Sequence, residues 1–217
     1  MSDLLNTPAS YGDDAIVTLT PREHIRLRPG MYIGKLGDGS QPDDGIYVLI
    51  KEVVDNSVDE FIMGAGKQIE ITVVDNVVTV RDGEARTVTF AQGIEQSDRW
   101  ESGVEERNGT LISFRVDEEV FGAYAYNMEY IEEMVKNYTY LNLGLTFKLN
   151  GQSYVSKNGL LDLLNEKMSD APLYAPIHLS GDDIEVAITH GSGYGESYYS
   201  FVNGQYTSQG GTHQAAF

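Results

Sequence analysis

The chain predicts an α+β fold, a mixed or antiparallel sheet with its helices gathered on one face. Three observations lead there. Helical periodicity runs through about 46–63, 128–140 and 158–168. Short β-branched runs lie around these segments: Ile69–Val74, Val77–Val80, Arg86–Phe90, Thr110–Phe114 and Leu145–Leu149. No strand–helix–strand unit recurs as a doubly wound parallel sheet requires.

The elements follow in order. Residues 1–20 are a polar arm with little periodicity. Thr20-Pro21-Arg22-Glu23 places a capping hydroxyl, a proline and an acid where a helix begins, and that helix ends before Pro29. Gly34–Gly45 is a loop rich in Gly and Asp. A long helix then runs from about Ile46 to Met63, with Gly64 and Gly66 as stop signals. Asp75-Asn76 is a turn between the first two strands, and Gln92–Asn108 is a charged connection between the next two. Leu145–Leu149 turns at Asn150-Gly151, and Pro172 and Pro176 mark a boundary after the third helix. Ile184–Ile188 and Tyr198–Val202 are expected as two strands with a Gly-rich hairpin.

Length and composition narrow the function. At 217 residues the chain can bury a core without covalent staples, and it has no Cys for disulfides or thiolate metal sites. No apolar run reaches the roughly 20 residues of a membrane helix, and the first residues lack a secretory pattern. A cytoplasmic location is the expectation. The net charge of −18 would repel a duplex, which excludes a simple nucleic-acid-binding module.

The long helix carries the chemistry. Glu52, Asn56 and Asp59 stand at i, i+4 and i+7 and share one face. Val54, Val58 and Phe61 repeat that spacing about 200° around, at roughly 100° per residue. An amide oxygen flanked by carboxylates suits a hard cation such as Mg²⁺. A Glu one turn earlier suits proton abstraction from water. The same pattern also describes a solvated acidic helix face. The four His residues show no metal spacing.

Four motifs occur in order: Arg26-Leu-Arg28-Pro29-Gly30-Met31-Tyr32-Ile33-Gly34, Glu52-Val-Val-Asp55-Asn56-Ser-Val-Asp59-Glu60, Arg107-Asn-Gly109-Thr110 and Gly210-Gly211-Thr212-His213. Together they resemble the ATPase region of the B subunits of bacterial type IIA DNA topoisomerases, the topoisomerase IV branch more closely than the gyrase branch. The resemblance implies a Bergerat-type (GHKL) ATP-binding α/β sandwich over 21–172, after the arm of 1–20, with the beginning of a transducer domain at 173–217. It implies ATP and Mg²⁺ as cofactors, Glu52 as general base and Asn56 as the magnesium ligand, with Asp59 beside them on the nucleotide face. Asp82 and Thr110 would read adenine between the apolar walls Val80 and Ile112, and Tyr11 in the arm would reach a partner's nucleotide. Asp55 and Glu60 stay ambiguous between that site and local capping or pairing, with the structural reading favoured for Glu60, and His213 is read as structural. In the full enzyme the implied partners are a DNA-cleaving A-type subunit, duplex DNA and a second copy of the ATPase-bearing chain, and adenine-site inhibitors would compete with ATP. The oligomeric state of the fragment stays open, a monomer being one alternative.

The chain departs from this family at one place. The family's adenine-reading Asp opens an Asp-x-Gly-x-Gly box, followed by a lid and a Gly-rich turn whose amides hold phosphate. Here Val80-Arg81-Asp82 runs straight into Gly83-Glu84-Ala85-Arg86, and the lid is absent between about 80 and 84. Asp82 and Arg81 belong either to the edge before this gap or to the edge after it. The family's later catalytic Lys would fall beyond Phe217. The expectation is therefore adenine binding with negligible ATP hydrolysis. The alternatives are a non-catalytic nucleotide- or inhibitor-binding module, such as an engineered lid-less form, or another Bergerat-class ATPase.

Overall fold

The computed structural model describes residues 19–74, 77–83, 86–100 and 109–217, excepting the side chains of 77–83, 86, 87, 100 and 109. Helix α1 (Pro21–Leu27) begins with a complete capping box, Thr20 and Glu23 each satisfying the other's backbone amide. The Arg-Pro-Gly-Met-Tyr-Ile motif forms the single turn α2 (Gly30–Ile33), and α3 (Gly45–Ile62) is the long helix expected from the sequence. The chain continues through β1 (Gln68–Val74), β2 (Val77–Gly83), β3 (Arg86–Ala91), β4 (Ile94–Trp100) and β5 (Gly109–Arg115). Next come α4 (Glu118–Phe121), α5 (Met128–Leu141), β6 (Thr146–Leu149), β7 (Gln152–Tyr154) and α6 (Leu160–Lys167). The last elements are β8 (Ile177–Ser180), β9 (Glu185–Ile188), β10 (Phe201–Val202), β11 (Gln205–Tyr206) and α7 (Thr212–Ala216).

The main sheet has the order β5-β2-β1-β6-β7. It is mixed, because β1 pairs antiparallel with β2 but parallel with β6. Alternation puts Ile69 and Ile71 of β1, with Phe147 and Leu149 of β6, on one face, where they meet Ile46, Ile50, Val54 and Val58 of α3 and Ile131, Val135 and Tyr138 of α5. Helices α3 and α5 thus share a single core on one face of the sheet. Of the apolar stripe expected on α3, Val54 and Val58 are buried and Phe61 packs half-buried against them.

Two expectations fail. The segment read as a charged connection holds β4, which pairs with β3 as a separate hairpin turning at Gln92 and Gly93, both at positive φ. Its sequence is too polar for a core strand, but a two-residue turn needs no apolar face to set its register. Ile184–Ile188 and Tyr198–Val202 do not share a hairpin either. β9 pairs with β8, whereas β10 pairs with β11 across Asn203-Gly204. Each short turn closes with less loop entropy than the long Gly-rich connection.

The start of α3 is set by the preceding loop. Asp44, 1% exposed, accepts from the Gly39 and Gln41 amides at 3.0 and 3.1 Å. Lys35 Nζ stands 3.2 Å from its other oxygen, an ion contact without hydrogen-bond alignment. Burial pushes the Asp44 carboxyl up, but the amides and Lys35 outweigh it and hold it below the usual carboxylate range. Tyr47 on α3 donates to the Gly39 carbonyl at 2.7 Å and accepts from the Asn127 amide at 2.8 Å, stitching the loop to the segment before α5.

A second carboxylate organises α6. Asp162 accepts from Ser156 Oγ, the Lys157 and Asn158 amides and Asn158 Nδ2, all between 2.7 and 3.1 Å. The Asn158 side chain above all holds its carboxyl at about 2, against an ordinary 3.8. A depressed pKa stabilises the fold above the unfolded value and loses that stabilisation as pH falls toward the folded one. Asp162→Asn is expected to cost about 2 kcal/mol at neutral pH. It should also flatten the acid limb of stability between about pH 4 and 2. Urea unfolding across pH checks both.

Candidate nucleotide site

Helix α3 carries Glu52, Asn56 and Asp59 together on its exposed side, opposite the buried Val54 and Val58. The sheet explains where the other expected residues lie. In the β2–β5 ladder Val80 pairs with Ile112 and Asp82 with Thr110, so the four form two neighbouring same-face rungs. Val80 is also opposite Ile71, and Phe114 two positions after Ile112 packs against the core. Register positions 80, 82, 110 and 112 therefore belong to the helix-covered face, and α3 packs against β2. Ile112 is half-buried, whereas Thr110 is exposed near the end of its strand. Helix α3 and the two rungs thus lie on the same side of the sheet, with Glu52, Asn56 and Asp59 on the side of the helix away from its buried stripe. Tyr11 lies outside the described residues.

The donor chemistry fits a nucleotide-bound Mg²⁺. Glu52, Asn56 and Asp59 offer oxygen ligands, and none of the three makes a side-chain hydrogen bond or ion pair among the described residues. The described residues contain no group of three or more His, Cys, Asp or Glu able to cage a metal. An all-protein cage is not what Mg²⁺ needs, since it keeps several waters and shares phosphate oxygens. The α3 face is open, and a cavity of about 460 Å³ lies elsewhere, lined by Tyr198, Gln209, Gln214 and Phe217 near the last helix. That cavity gathers none of the expected site residues. The strand ends at Gly83 and Gly109 lead into 84–85 and 101–108, which lie outside the described residues.

Asp55 is engaged on both oxygens, by one neighbour on its own helix and by one residue distant in the chain. Lys51 Nζ bonds one of its oxygens and the Tyr138 hydroxyl the other. Burial first, and then the Asp55 carboxylate, hold the Tyr138 hydroxyl far above its usual range, so it remains a proton donor. Sequence reasoning missed both partners. Lys51 was visible as the residue four before Asp55, but nothing local marks Tyr138, 83 positions away. His213 also proves to be internally engaged, with Nε2 against Ser200 Oγ, in keeping with a structural role.

The family model described as DNA gyrase B matches residues 127–217. The B subunit of DNA topoisomerase 4 from Borreliella burgdorferi is 38% identical over 265 positions, covering 96% of this chain and 44% of that protein. The B subunit of DNA gyrase from Staphylococcus epidermidis is 28% identical over 299 positions, covering 100% of this chain and 45% of its own length. The chain therefore spans less than half of either relative. Both matches run over more positions than the chain's 217 residues, so gaps of at least 48 and 82 positions fall within it. In three dimensions the chain resembles the crystal structure of the 43K ATPase domain of Thermus thermophilus gyrase B in complex with an aminocoumarin. The TM-score is 0.73 at 23% identity, covering 90% of this chain and 69% of that one. The fold is that of the GHKL ATPase domain, and the chain belongs to the family of type IIA topoisomerase B subunits, whose N-terminal region it matches.

Proposed function

We propose that this chain is the ATP-binding region of a topoisomerase IV or gyrase B subunit, which takes up the adenine end of ATP and hydrolyses it negligibly. The observation that carries the reading is the α3 face, whose oxygens are unpaired among the described residues, on a helix that packs against β2 on the side of the sheet to which the 80–112 and 82–110 rungs belong. Asp82 accepts from the exocyclic amine of adenine with Thr110 assisting, and Val80 and Ile112 flank the base. Asn56 holds Mg²⁺ with Asp59 beside it. When bound, the metal neutralises phosphate charge and orients the γ-phosphoryl group. Glu52 orients the attacking water and takes its proton. Tyr11 in the arm of 1–20 reaches the nucleotide of a second copy, 21–172 form the ATPase domain, and 173–217 begin the transducer.

The gaps in both alignments support a missing lid, and with it the phosphate-holding amides. Transition-state charge then finds little stabilisation, and turnover falls far more than binding. The full protein, in this reading, is a cytoplasmic homodimer that works with a DNA-cleaving A-type subunit to pass one duplex through another. No helix among the described residues is long and apolar enough to cross a membrane. The test combines thermal unfolding with single-turnover hydrolysis. ATP–Mg²⁺ or an aminocoumarin should raise Tm, while labelled ATP should stay intact on the same chain. No ligand-induced shift would refute the binding half, and rapid turnover would refute the rest.

A further inference from the structure

We propose that Lys51 and Tyr138 are positioning residues for the α3 site, acting through Asp55, an inference that rests on the function proposed above. Asp55 is adjacent to Asn56 and one turn after Glu52, so its state bears on both. Its two oxygens are already engaged, one by Lys51 Nζ and one by the Tyr138 hydroxyl. A carboxylate occupied on both sides has little left to offer a cation. Asn56 is thereby left as the metal-binding oxygen on that turn, and Glu52 as the carboxylate unpaired among the described residues.

The arrangement is more than a helix-surface ion pair. Lys51 is the sole basic residue of α3, which also carries Glu52, Asp55, Asp59 and Glu60. A Lys four residues before an acid is the weaker order for such a pair, so helix energetics alone account poorly for it. Tyr138 supplies the rest. It is 4% exposed, its ring lies 5.8 Å from Phe147 of β6 at 27°, and its place is therefore set by the core rather than by α3. A buried tyrosine hydroxyl needs a partner, and Asp55 is that partner. The bond carries the geometry of α5 and the sheet into the rotation of α3 about its axis.

The test compares Tyr138→Phe, Lys51→Met and Lys51→Arg with the unaltered chain. Calorimetric titration with ATP, in Mg²⁺ and in EDTA, gives the gain in affinity due to the metal. Loss of a residue that orients a ligand turn typically weakens metal binding about tenfold. Tyr138→Phe and Lys51→Met should each reduce the magnesium-dependent gain by about that factor, leave metal-free ATP affinity unchanged, and let Mg²⁺ alone stabilise the freed Asp55. Lys51→Arg should restore the gain. Lys51 is only partly buried, so its variants remain informative if Tyr138→Phe unfolds. Variants that lower Tm but keep the full magnesium gain, or weaken ATP equally in Mg²⁺ and EDTA, would overturn this inference alone. An unaltered chain that binds no ATP would overturn the proposed function and this inference with it.

Discussion

Gly39→Ala is expected to destabilise the protein on the order of 4 kcal/mol, through backbone strain and displaced hydrogen bonds. Gly39 has φ +96, and a Cβ there would lie 1.9 Å from the Ala125 carbonyl oxygen, a backbone atom with no room to swing away. Separating the two segments would break the hydrogen bond that the Ala125 N–H donates to the Asp38 carbonyl and disturb the Tyr47 hydroxyl between Gly39 and Asn127. It would also loosen the Asp44 cradle that starts α3. Gly64 is the control. Its φ is +86, but nothing stands within 4 Å of an added Cβ. Gly64→Ala should therefore cost only the left-handed strain, about 1 kcal/mol. For a chain of this size 1 kcal/mol shifts Tm by roughly 2–4 °C, so the two variants should separate by roughly 6–12 °C. Equal Tm values would show that the loop is not held against Ala125.

Asn56→Ala and Asp82→Asn should each remove most of the thermal stabilisation by ATP–Mg²⁺. Ligand at about 100 times its Kd stabilises by about 2.7 kcal/mol, or roughly 5–10 °C here. Asn56 is exposed and makes no side-chain bond among the described residues, so its loss should leave the ligand-free Tm within about 0.5 kcal/mol of the original. The effect is then confined to the ligand. Asp82→Asn exchanges a pure acceptor for a group that also presents donors to the adenine amine. An unpaired polar contact of that kind costs about 1–3 kcal/mol. The variants should differ in one respect: Asn56→Ala spares binding of adenosine, which has no phosphate for a metal to bridge, whereas Asp82→Asn weakens it. A full ligand shift in both would place the nucleotide elsewhere.

Much of the fold could be read directly from the chain because its signals are local. The capping box at Thr20, the apolar stripe of Val54 and Val58, and the glycines after Met63 each act within a few residues. The structure has α1 and α3 beginning and ending close to where those signals put them. Strands β1, β2 and β5 were visible for the same reason. β4 was not, since Ile94–Trp100 is mostly polar and is ordered by a turn rather than by burial. Nor was the partner of β9, because Leu179 and Ile177 in β8 are exposed and carry no inward-facing pattern. At the candidate site, Glu52, Asn56 and Asp59 follow from helical spacing alone, but Asp55 could not be separated from them until Tyr138 arrived from α5.

The sequence by itself determined the two-faced character of α3, the identity of its oxygen-bearing residues and, through four ordered motifs, the family. The helix properties depend on spacings shorter than about three turns, where backbone geometry leaves few choices. Tertiary structure alone decided that β1 joins β6 in parallel and β2 joins β5. It alone put positions 80, 82, 110 and 112 on the helix-covered face and engaged both oxygens of Asp55. These outcomes require contacts between residues tens of positions apart, which form only when the whole apolar surface of helices and sheet is buried together.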